Sequence, residues 1–288
     1  MEIINSLLPY LPLILTIIGV LILILVIYVV VLIVAAKKKQ RQTDETSEVA
    51  SAKKAKKEAI ASQKILSANL ARSFRQAIRM LKSETSGRNW RYQVPWLLAI
   101  GESNSGKTTM LDNVGLDLTL GKSDSKPGNK SVCDWYYYDK GLMLDIDGGA
   151  ILRKDGLPTD ERLWKSLLRL LQKHRPERPI DGIVLTIPAT DLLAPIEEIR
   201  EMLHVKADVL YKKLMQAQVI LGLCVPVYVV VTKCDAIGGF RTLASSLPQQ
   251  FHDQIFGWSN PYSLETAFTP RWVEEAFSSI SGKLYETQ

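Results

Sequence analysis

The chain has 288 residues, of which 47% are hydrophobic, and a formal net charge of +6. The positive charge is concentrated in residues 37–91, which hold 15 Lys/Arg and 5 Asp/Glu, whereas residues 92–288 hold 21 Lys/Arg and 24 Asp/Glu. The mildly acidic globular part makes nucleic-acid binding the least favoured function, and three cysteines without C-x-x-C spacing argue against a disulfide framework or a zinc site.

An uncharged segment from Leu13 to Ala36 is the first feature along the chain. Its 24 residues exceed the ~20 that a helix needs to cross a bilayer. The segment is longer than the apolar part of a signal peptide and has no cationic start, so we predict one uncleaved transmembrane helix after an extracytoplasmic N-terminus of residues 1–12. A hairpin of two spans is the alternative, but it needs ~40 apolar residues. The basic cluster at Lys37–Arg41 predicts that everything after the span is cytoplasmic.

Residues 37–91 are predicted to form a basic juxtamembrane region. A polar linker, Gln40 to Ser51, precedes a helix from about Ala52 to Lys82, which is expected to pack on the following domain. Lys and Arg near anionic headgroups gain about 1 kcal/mol each, so contact with the lipid bilayer explains the charge best. A solvated helix face is the alternative. The apolar side of this helix consists of Ile60, Leu66, Leu70, Phe74, Ile78 and Leu81.

Residues 101–108 read GESNSGKT, which matches the phosphate-binding loop pattern G-x-x-x-x-G-K-[ST]. The apolar run from Val94 to Ile100 predicts a buried strand before the loop, and residues 109–111 predict the start of a helix. In such a P-loop, backbone N–H groups surround the phosphates of a nucleotide. A glycine turn with a solvated lysine is the alternative. The predicted phosphate contacts are Gly101, Asn104, Ser105, Gly106, Lys107, Thr108 and Thr109.

Strand and helix patterns then alternate. The runs Val132–Tyr138 and Leu142–Ile146 are separated by Asp-Lys-Gly, which predicts an antiparallel hairpin. Two further strands are predicted at Ile180–Ile187 and Val225–Val231. Helices are predicted at 163–173, 195–222, 249–258 and 271–284. The helix at 195–222 is expected to bury one stripe, formed by Ile196, Ile199, Leu203, Ala207, Leu210, Leu214, Ala217 and Leu221.

These elements predict an α/β fold. Alternating strands and helices form a mainly parallel, doubly wound sheet. We expect a GTPase-like P-loop domain over residues 92–288, with its nucleotide site at the carboxyl edge of the sheet. The transmembrane helix and the juxtamembrane helix precede this domain.

Residues 145–148 read DIDG after a predicted strand and match the D-x-x-G motif of nucleotide-binding proteins. Asp145 is predicted to hold Mg²⁺ together with Thr108, and the Gly148 N–H to meet the γ-phosphate. Ile146 stands where motor ATPases place Glu, which disfavours that class. Gly149 stands where small GTPases place a Gln that orients water, so we expect slow hydrolysis or a site used for binding alone.

Residues 232–235 read TKCD and match [NT]-K-x-D of GTP-binding proteins. A carboxylate at Asp235 can accept hydrogen bonds from guanine N1–H and the 2-amino group, and adenine offers no such pair of donors. Thr232, Lys233 and Asp235 are therefore predicted to bind the base. GTP is the favoured nucleotide, ATP is the alternative, and a strand-end turn with solvated side chains is the interpretation without function.

With these motifs in this order, the chain resembles the cytoplasmic N-terminal region of the IcmF/TssM proteins of type VI secretion, which have a relative in Dot/Icm type IV systems. The likeness covers roughly residues 90–260. It depends on VPW at 94–96, CDWY at 133–136, KHRPERPIDG at 173–182, DLL at 191–193, PVY at 226–228 and GF at 239–240.

The resemblance implies a bacterial inner-membrane component of a secretion complex, oligomeric within it, that meets other inner-membrane and baseplate components. The sequence departs from the family at residues 145–149, where DIDGG replaces Asp-Thr-Ala-Gly-Arg, and at 128–131, where GNKS leaves Ser131 as the nearest hydroxyl for the metal. The family usually enters the membrane by two helices and continues into a long periplasmic part. We therefore expect a short relative or one piece of a split protein.

The sequence thus favours a membrane-anchored, GTP-type nucleotide-binding component of a type VI, or Dot/Icm-like type IV, secretion complex. Its enzymatic activity would be at most that of a slow GTPase. One alternative is a free-standing, membrane-tethered GTPase with a signalling role. Another is a scaffold whose nucleotide site is vestigial.

Overall fold

The computed structural model describes residues 28, 57, 60–85, 87–122, 132–152, 161–249, 256–263 and 265–286. Residues 63–288 belong to one structural unit and residues 1–62 to another. The helices are α1 at 60–84, α2 at Lys107–Asp112, α3 at Gly148–Ile151, α4 at Glu161–His174, α5 at Ile196–Leu221, α6 at Phe240–Ser246 and α7 at Arg271–Glu286. The strands are β1 at Trp96–Gly101, β2 at Leu118–Lys122, β3 at Cys133–Tyr138, β4 at Gly141–Ile146, β5 at Gly182–Pro188 and β6 at Val227–Thr232.

The six strands form one mixed sheet in the order β2-β3-β4-β1-β5-β6. β1 lies between β4 and β5 and pairs parallel with both, and β6 pairs parallel with β5. β3 pairs antiparallel with β2 and with β4. The short turn at residues 139–140 permits the β3–β4 hairpin, whereas the parallel pair β5–β6 requires the long crossover that α5 supplies.

Helices cover both faces of this sheet. Side chains alternate between the faces along a strand, so Leu98 and Ile100 of β1 point to one side and Ala99 to the other. The first side holds the larger part of the core, with residues of α1, α4 and α5. On the second side, Leu111 of α2 packs with Ala99 and Tyr136. The central position of β1 thus buries the strand that leads into the P-loop.

The helix α1 packs on the sheet through Phe74, which is fully buried. Its ring meets the Trp135 ring edge-on, with 4.8 Å between the centroids. Trp135 Nε1 donates a hydrogen bond to Ser73 Oγ (3.0 Å), and Ser73 Oγ donates to the Cys133 carbonyl oxygen (3.1 Å). The predicted packing of this helix on the domain is confirmed, although Ile60 and Leu66, which were predicted on its apolar side, are exposed.

A buried arginine aligns the starts of β1 and β5. Arg175 is inaccessible to solvent, and its guanidinium lies over the ring of Trp96, 4.8 Å from the centroid. Its Nη1 donates to Asp181 Oδ2 at 2.8 Å, and the same oxygen accepts the Trp96 N–H at 2.7 Å. Arg178 Nε pairs with the other Asp181 oxygen at 2.7 Å. This network explains why several charged residues stand together just before β5.

Most predicted elements are confirmed: the P-loop strand and helix, the β3–β4 hairpin, α4, β5, α5, β6 and α7. The elements β2, α3 and α6, which have five, four and seven residues, were not predicted. Patterns this short carry little periodicity. The predicted helix at 249–258 is wrong for residues 256–258, which are not helical, and residues 250–255 lie outside the described residues.

The predicted stripe of α5 is wrong at two positions, whereas Ile199, Leu203, Leu210 and Leu214 are half-buried. Ile196 and Ala207 are exposed, and the buried positions are Lys206, Val209, Lys213, Ala217 and Leu221. Two lysines thus occupy buried positions beside the predicted stripe, next to Ala207 and Leu214. A lysine can do so because its stem packs like an aliphatic chain while its charged end finds partners.

The strand β6 closes one end of the described sheet. Its side chains are largely accessible: Val227 is 40% exposed, Tyr228 52%, Val229 60% and Val231 45%. The alternating valines therefore lie on a surface of the described part of the chain.

The predicted transmembrane helix at 13–36 lies outside the described residues except for Tyr28, as does the linker at 40–51. Among the described helices, none is both long enough and apolar enough to span a bilayer.

Candidate nucleotide-binding site

The predicted motifs meet at one edge of the sheet, because β4, β1, β5 and β6 run parallel and end on the same side. The P-loop follows β1, the D-x-x-G motif spans the end of β4, and T-K-x-D spans the end of β6. The strand register places Asp145 beside Ala99 and Thr232 beside Pro188. Carboxyl edges of open parallel sheets are where such folds bind ligands.

The P-loop contains residues with positive φ angles. Asn104 adopts φ of 64° and Gly106 φ of 87°, both in the left-handed region that favours glycine or asparagine. Gly106 directly precedes α2, so the loop turns sharply into the helix. Ser105 is buried, and its hydroxyl lies 2.7 Å from the hydroxyl of Thr186 on β5. This contact fixes the loop against the sheet.

Lys107 is buried at the start of α2 and points back over the loop. Its Nζ donates to the carbonyl oxygens of Glu102 at 3.0 Å and Gly101 at 3.3 Å. Burial lowers the pKa of Lys107, and the charges of Asp145, Asp147 and Glu102 oppose that shift. The ammonium group is thus held among acceptors at the place where the sequence predicts phosphates.

Thr108 and Asp145 fit a magnesium site. Thr108 Oγ1 donates to Asp145 Oδ2 at 2.8 Å, and Asp145 is only 8% exposed. A hydroxyl and a carboxylate are hard oxygen ligands of the kind that Mg²⁺ takes from proteins. The structure therefore brings together two of the three predicted metal ligands. The third, Ser131, lies outside the described residues.

Gly148 of the D-x-x-G motif lies against the backbone of the P-loop. A Cβ atom at this position would stand 2.2 Å from the Ser103 nitrogen and 2.6 Å from the Glu102 carbonyl oxygen. The next residue, Gly149, is exposed, and a Cβ there would have 3.3 Å to an Asp147 carboxylate oxygen. Glycine at 148 is thus required by the close approach of two motifs, whereas a Cβ at 149 would displace only the exposed side chain of Asp147 slightly.

The T-K-x-D motif also contacts the P-loop. The Thr232 hydroxyl donates to the Ser105 carbonyl oxygen, and the Thr232 side chain lies against Gly106. Lys233 adopts φ of 55° and leads into a single 3₁₀ turn. The side chains of Lys233 and Asp235 are exposed at this edge. Thr232 thus joins the predicted base-binding segment to the predicted phosphate-binding segment.

Two charged side chains at the site were not predicted from the sequence. Arg241 Nη2 donates to Asp235 Oδ2 at 3.0 Å, so a cation stands beside the carboxylate predicted to bind guanine. Lys206 of α5 forms ion pairs with Glu102 of the P-loop and with Asp191. Arg241 was not predicted because its spacing from Asp235 belongs to no phosphate or base motif. Lys206 was not predicted because 104 residues separate it from Glu102.

Comparison with known proteins identifies the family. The model of the IcmF-related N-terminal domain matches residues 158–288. Over 198 residues the chain is 31% identical to the type VI secretion system component TssM1 of Pseudomonas aeruginosa strain PAO1. The chain is a member of the IcmF/TssM family. The match covers 66% of this chain and 18% of TssM1, so it corresponds to a minor part of that protein.

Solved structures similar to this IcmF/TssM chain include two proteins described as GTP-binding and one G domain. A probable GTP-binding protein engB is 20% identical, with a TM-score of 0.33 over 64% of this chain and 97% of that one. A SAR1-type GTPase from Encephalitozoon cuniculi in complex with GDP is 15% identical, with a TM-score of 0.23 over 63% and 85%. The G domain of the Thermotoga maritima FeoB transporter is 15% identical, with a TM-score of 0.24 over 53% and 96%. These scores are low, so the description of the fold depends on the strand order of the chain itself.

The contact between Gly148 and the P-loop generates a prediction about stability. We expect Gly148→Ala to lower the free energy of unfolding by about 1–3 kcal/mol, the usual cost of overpacking, because its Cβ meets backbone atoms. Chemical denaturation of the full chain in detergent measures this difference.

Gly149→Ala is the matched control, since it also adds one methyl group in α3. It should change stability by less than about 0.5 kcal/mol, as exposed substitutions usually do. Equal effects of the two substitutions would contradict the close packing of Gly148 on the P-loop.

Proposed function

We propose that this IcmF/TssM chain is a membrane-anchored component of a type VI secretion complex whose GTPase-like domain binds magnesium and a guanine nucleotide. One observation carries the nucleotide proposal: the D-x-x-G segment and the T-K-x-D segment both contact the P-loop at one edge of the sheet. Gly148 lies on the P-loop backbone and Thr232 donates to the Ser105 carbonyl oxygen. A chance match to three motifs would not require these contacts.

In this proposal each segment has a distinct role. The backbone N–H groups of the P-loop and the Lys107 ammonium bind phosphate oxygens. The Thr108 hydroxyl and the Asp145 carboxylate hold Mg²⁺, which neutralises phosphate charge when it is bound. Asp235 accepts hydrogen bonds from guanine, and the stem of Lys233 covers the ring. Arg241 must then share Asp235 with the base, because it pairs with the same carboxylate in this structure.

Hydrolysis is proposed to be slow. Gly149 offers no side chain to orient an attacking water molecule, although it follows the D-x-x-G motif directly. An arginine supplied by a partner can raise the rate of a GTPase by ~10³–10⁵. Nucleotide occupancy would therefore act as a switch in the assembled complex.

The proposed role in secretion comes from the relative, which is a type VI secretion system component. Membrane anchoring comes from the sequence: the 24 uncharged residues from Leu13 to Ala36 are followed at once by Lys37, Lys38 and Lys39. The proposal therefore includes a bacterial inner-membrane location, an extracytoplasmic N-terminus and a cytoplasmic domain, with other membrane and baseplate components as partners.

Titration of the full chain in detergent with labelled GTP and ATP, with and without Mg²⁺, tests nucleotide binding. We expect tighter binding of GTP than of ATP, and dependence on magnesium. Lys107→Ala should weaken binding about tenfold to a hundredfold, because hydrogen bonds to charged groups contribute about 1.5–3 kcal/mol. Asp235→Ala should reduce the preference for GTP while ATP binding persists.

Lys140→Ala, in the exposed turn between β3 and β4, is the matched control and should bind like the unmodified protein. Equal or tighter binding of ATP would remove the guanine proposal. If the protein bound neither nucleotide, the proposed nucleotide site would be wrong, and the alternative of a scaffold protein would be favoured.

The switch proposal predicts slow turnover and a need for the site in secretion. The full chain without partners should hydrolyse GTP more slowly than about 1 s⁻¹, the low end of usual enzyme rates. In a bacterium that uses this chain for secretion, Lys107→Ala should abolish assembly of the complex and secretion, and Lys140→Ala should not. Faster turnover would contradict the switch, and normal secretion by Lys107→Ala would make the site dispensable.

The anchoring proposal predicts one membrane crossing. Reporter domains fused at residue 45 and at the C-terminus should both report the cytoplasm, because the Lys37–Arg41 cluster retains the following chain on that side. A reporter at the N-terminus should report the periplasm. A periplasmic signal at residue 45 or at the C-terminus would overturn this topology.

A further inference from the structure

A buried lysine on α5 joins the P-loop to the segment after β5. Lys206 is 8% exposed, although it is a charged residue on a helix surface. Its Nζ donates to Glu102 Oε2 at 2.6 Å and to Asp191 Oδ2 at 2.8 Å. Charged groups are seldom buried unless they are paired, and here one cation lies between two carboxylates.

The three residues come from three separate elements. Glu102 is the first residue after β1, Asp191 ends the 3₁₀ turn Ala189–Asp191 after β5, and Lys206 lies near the middle of α5. Because β1 and β5 are parallel neighbours, the two carboxylates emerge at the same edge. The α5 crossover then brings Lys206 between them.

Glu102 is a turning point of the P-loop backbone. Its carbonyl oxygen accepts the Ser105 N–H at 3.1 Å and the Lys107 ammonium at 3.0 Å. The same residue contacts Gly148 of the D-x-x-G motif. An ion pair that fixes the Glu102 side chain therefore restrains the backbone that orients Lys107.

Charge is the second reason why Lys206 matters. Asp145, Asp147 and Glu102 all act on Lys107, so the site holds several carboxylates before a polyphosphate arrives. Burial would lower the pKa of Lys206, but hydrogen bonds to Asp191 and Glu102 outweigh burial and raise its pKa. Lys206 thus stays protonated at neutral pH and offsets the charge of Glu102.

We propose that Lys206 is a positioning residue for nucleotide binding, which holds the P-loop through Glu102, cancels that carboxylate's repulsion of phosphate, and links the loop to α5. The proposal rests on the proposed nucleotide function. In this proposal Glu102 has a structural role that depends on Lys206. Asp191 is a second hydrogen-bond acceptor that orients the Lys206 side chain.

A simple structural ion pair is the competing explanation. Removing one partner of a buried pair is destabilising, whatever the site does. The two explanations differ in one respect. If repulsion by an uncompensated Glu102 weakens binding, then removing the Glu102 charge as well should restore binding, whereas it would not repair a structural defect.

The experiment compares the affinity of the full chain for labelled GTP with Mg²⁺ across three variants. Lys206→Met should weaken binding at least about tenfold, since a unit charge at short range contributes several kcal/mol near a protein surface. The double variant Lys206→Met with Glu102→Gln should bind at least about threefold more tightly than Lys206→Met, because the uncompensated charge is gone although the loop is no longer held. Lys212→Met, an exposed lysine on the same helix, is the matched control and should bind unchanged.

Hydrogen exchange of the backbone N–H groups of residues 102–106, measured without nucleotide, tests the positioning step separately. Lys206→Met should accelerate exchange there at least about tenfold, and exchange in β1 and β5 should stay the same. If the unmodified protein binds no nucleotide, the proposed function fails, and this measurement still decides whether Lys206 holds the loop.

Three outcomes overturn the proposal: unchanged binding by Lys206→Met, a double variant as weak as the single one, or unchanged exchange in the loop. If Lys206→Met does not fold, Glu102→Gln alone carries the test, because it removes the charge and keeps an acceptor for Lys206. It should then bind magnesium GTP at least about threefold more tightly, and weaker binding would overturn the proposal.

Discussion

The parallel alignment of β1 between β4 and β5 is the constraint on which the candidate site depends. The P-loop, Asp145 and the segment after β5 belong to different parts of the sequence, and they meet because these strands end together. Asp181 helps to set this alignment, since it accepts both the Trp96 N–H and the buried Arg175 guanidinium. The apolar faces of α1, α4 and α5 then pack on one side of the sheet.

Direct contacts between the motifs make the site a single cooperative unit. The P-loop is held by Thr186 from β5, by Thr232 from β6, by Gly148 after β4 and by Lys206 from α5. A loop with this many partners is largely preorganised, so less entropy is lost when it binds an anion. The same arrangement means that a change at any one of these elements affects the conformation of the P-loop.

Local pattern was enough to predict the parts of the site that occupy consecutive positions. Gly106, Lys107 and Asp145 stand in motifs next to strands, and the structure places them as the sequence analysis expected. Lys206 could not be found in this way, because it lies outside the predicted apolar stripe of its helix and Glu102 is far away in sequence. The strand β2 and the helices α3 and α6 were missed for a related reason: none of them is long enough to show a period.

The exposed valines of β6 have a consequence for handling the protein. An outer strand rich in β-branched side chains and free of charge from Val227 to Thr232 resembles the segments that seed intermolecular sheet formation. Natural sheets usually protect such a strand with lysine, proline or a covering element. Unless another part of the chain or a partner covers β6, concentrated preparations of the domain will tend to aggregate through it. A lysine introduced at Val229, the most exposed of these valines, would then oppose pairing of β6 with another molecule and improve solubility. The outer strand at the other end of the sheet, β2, would be unchanged.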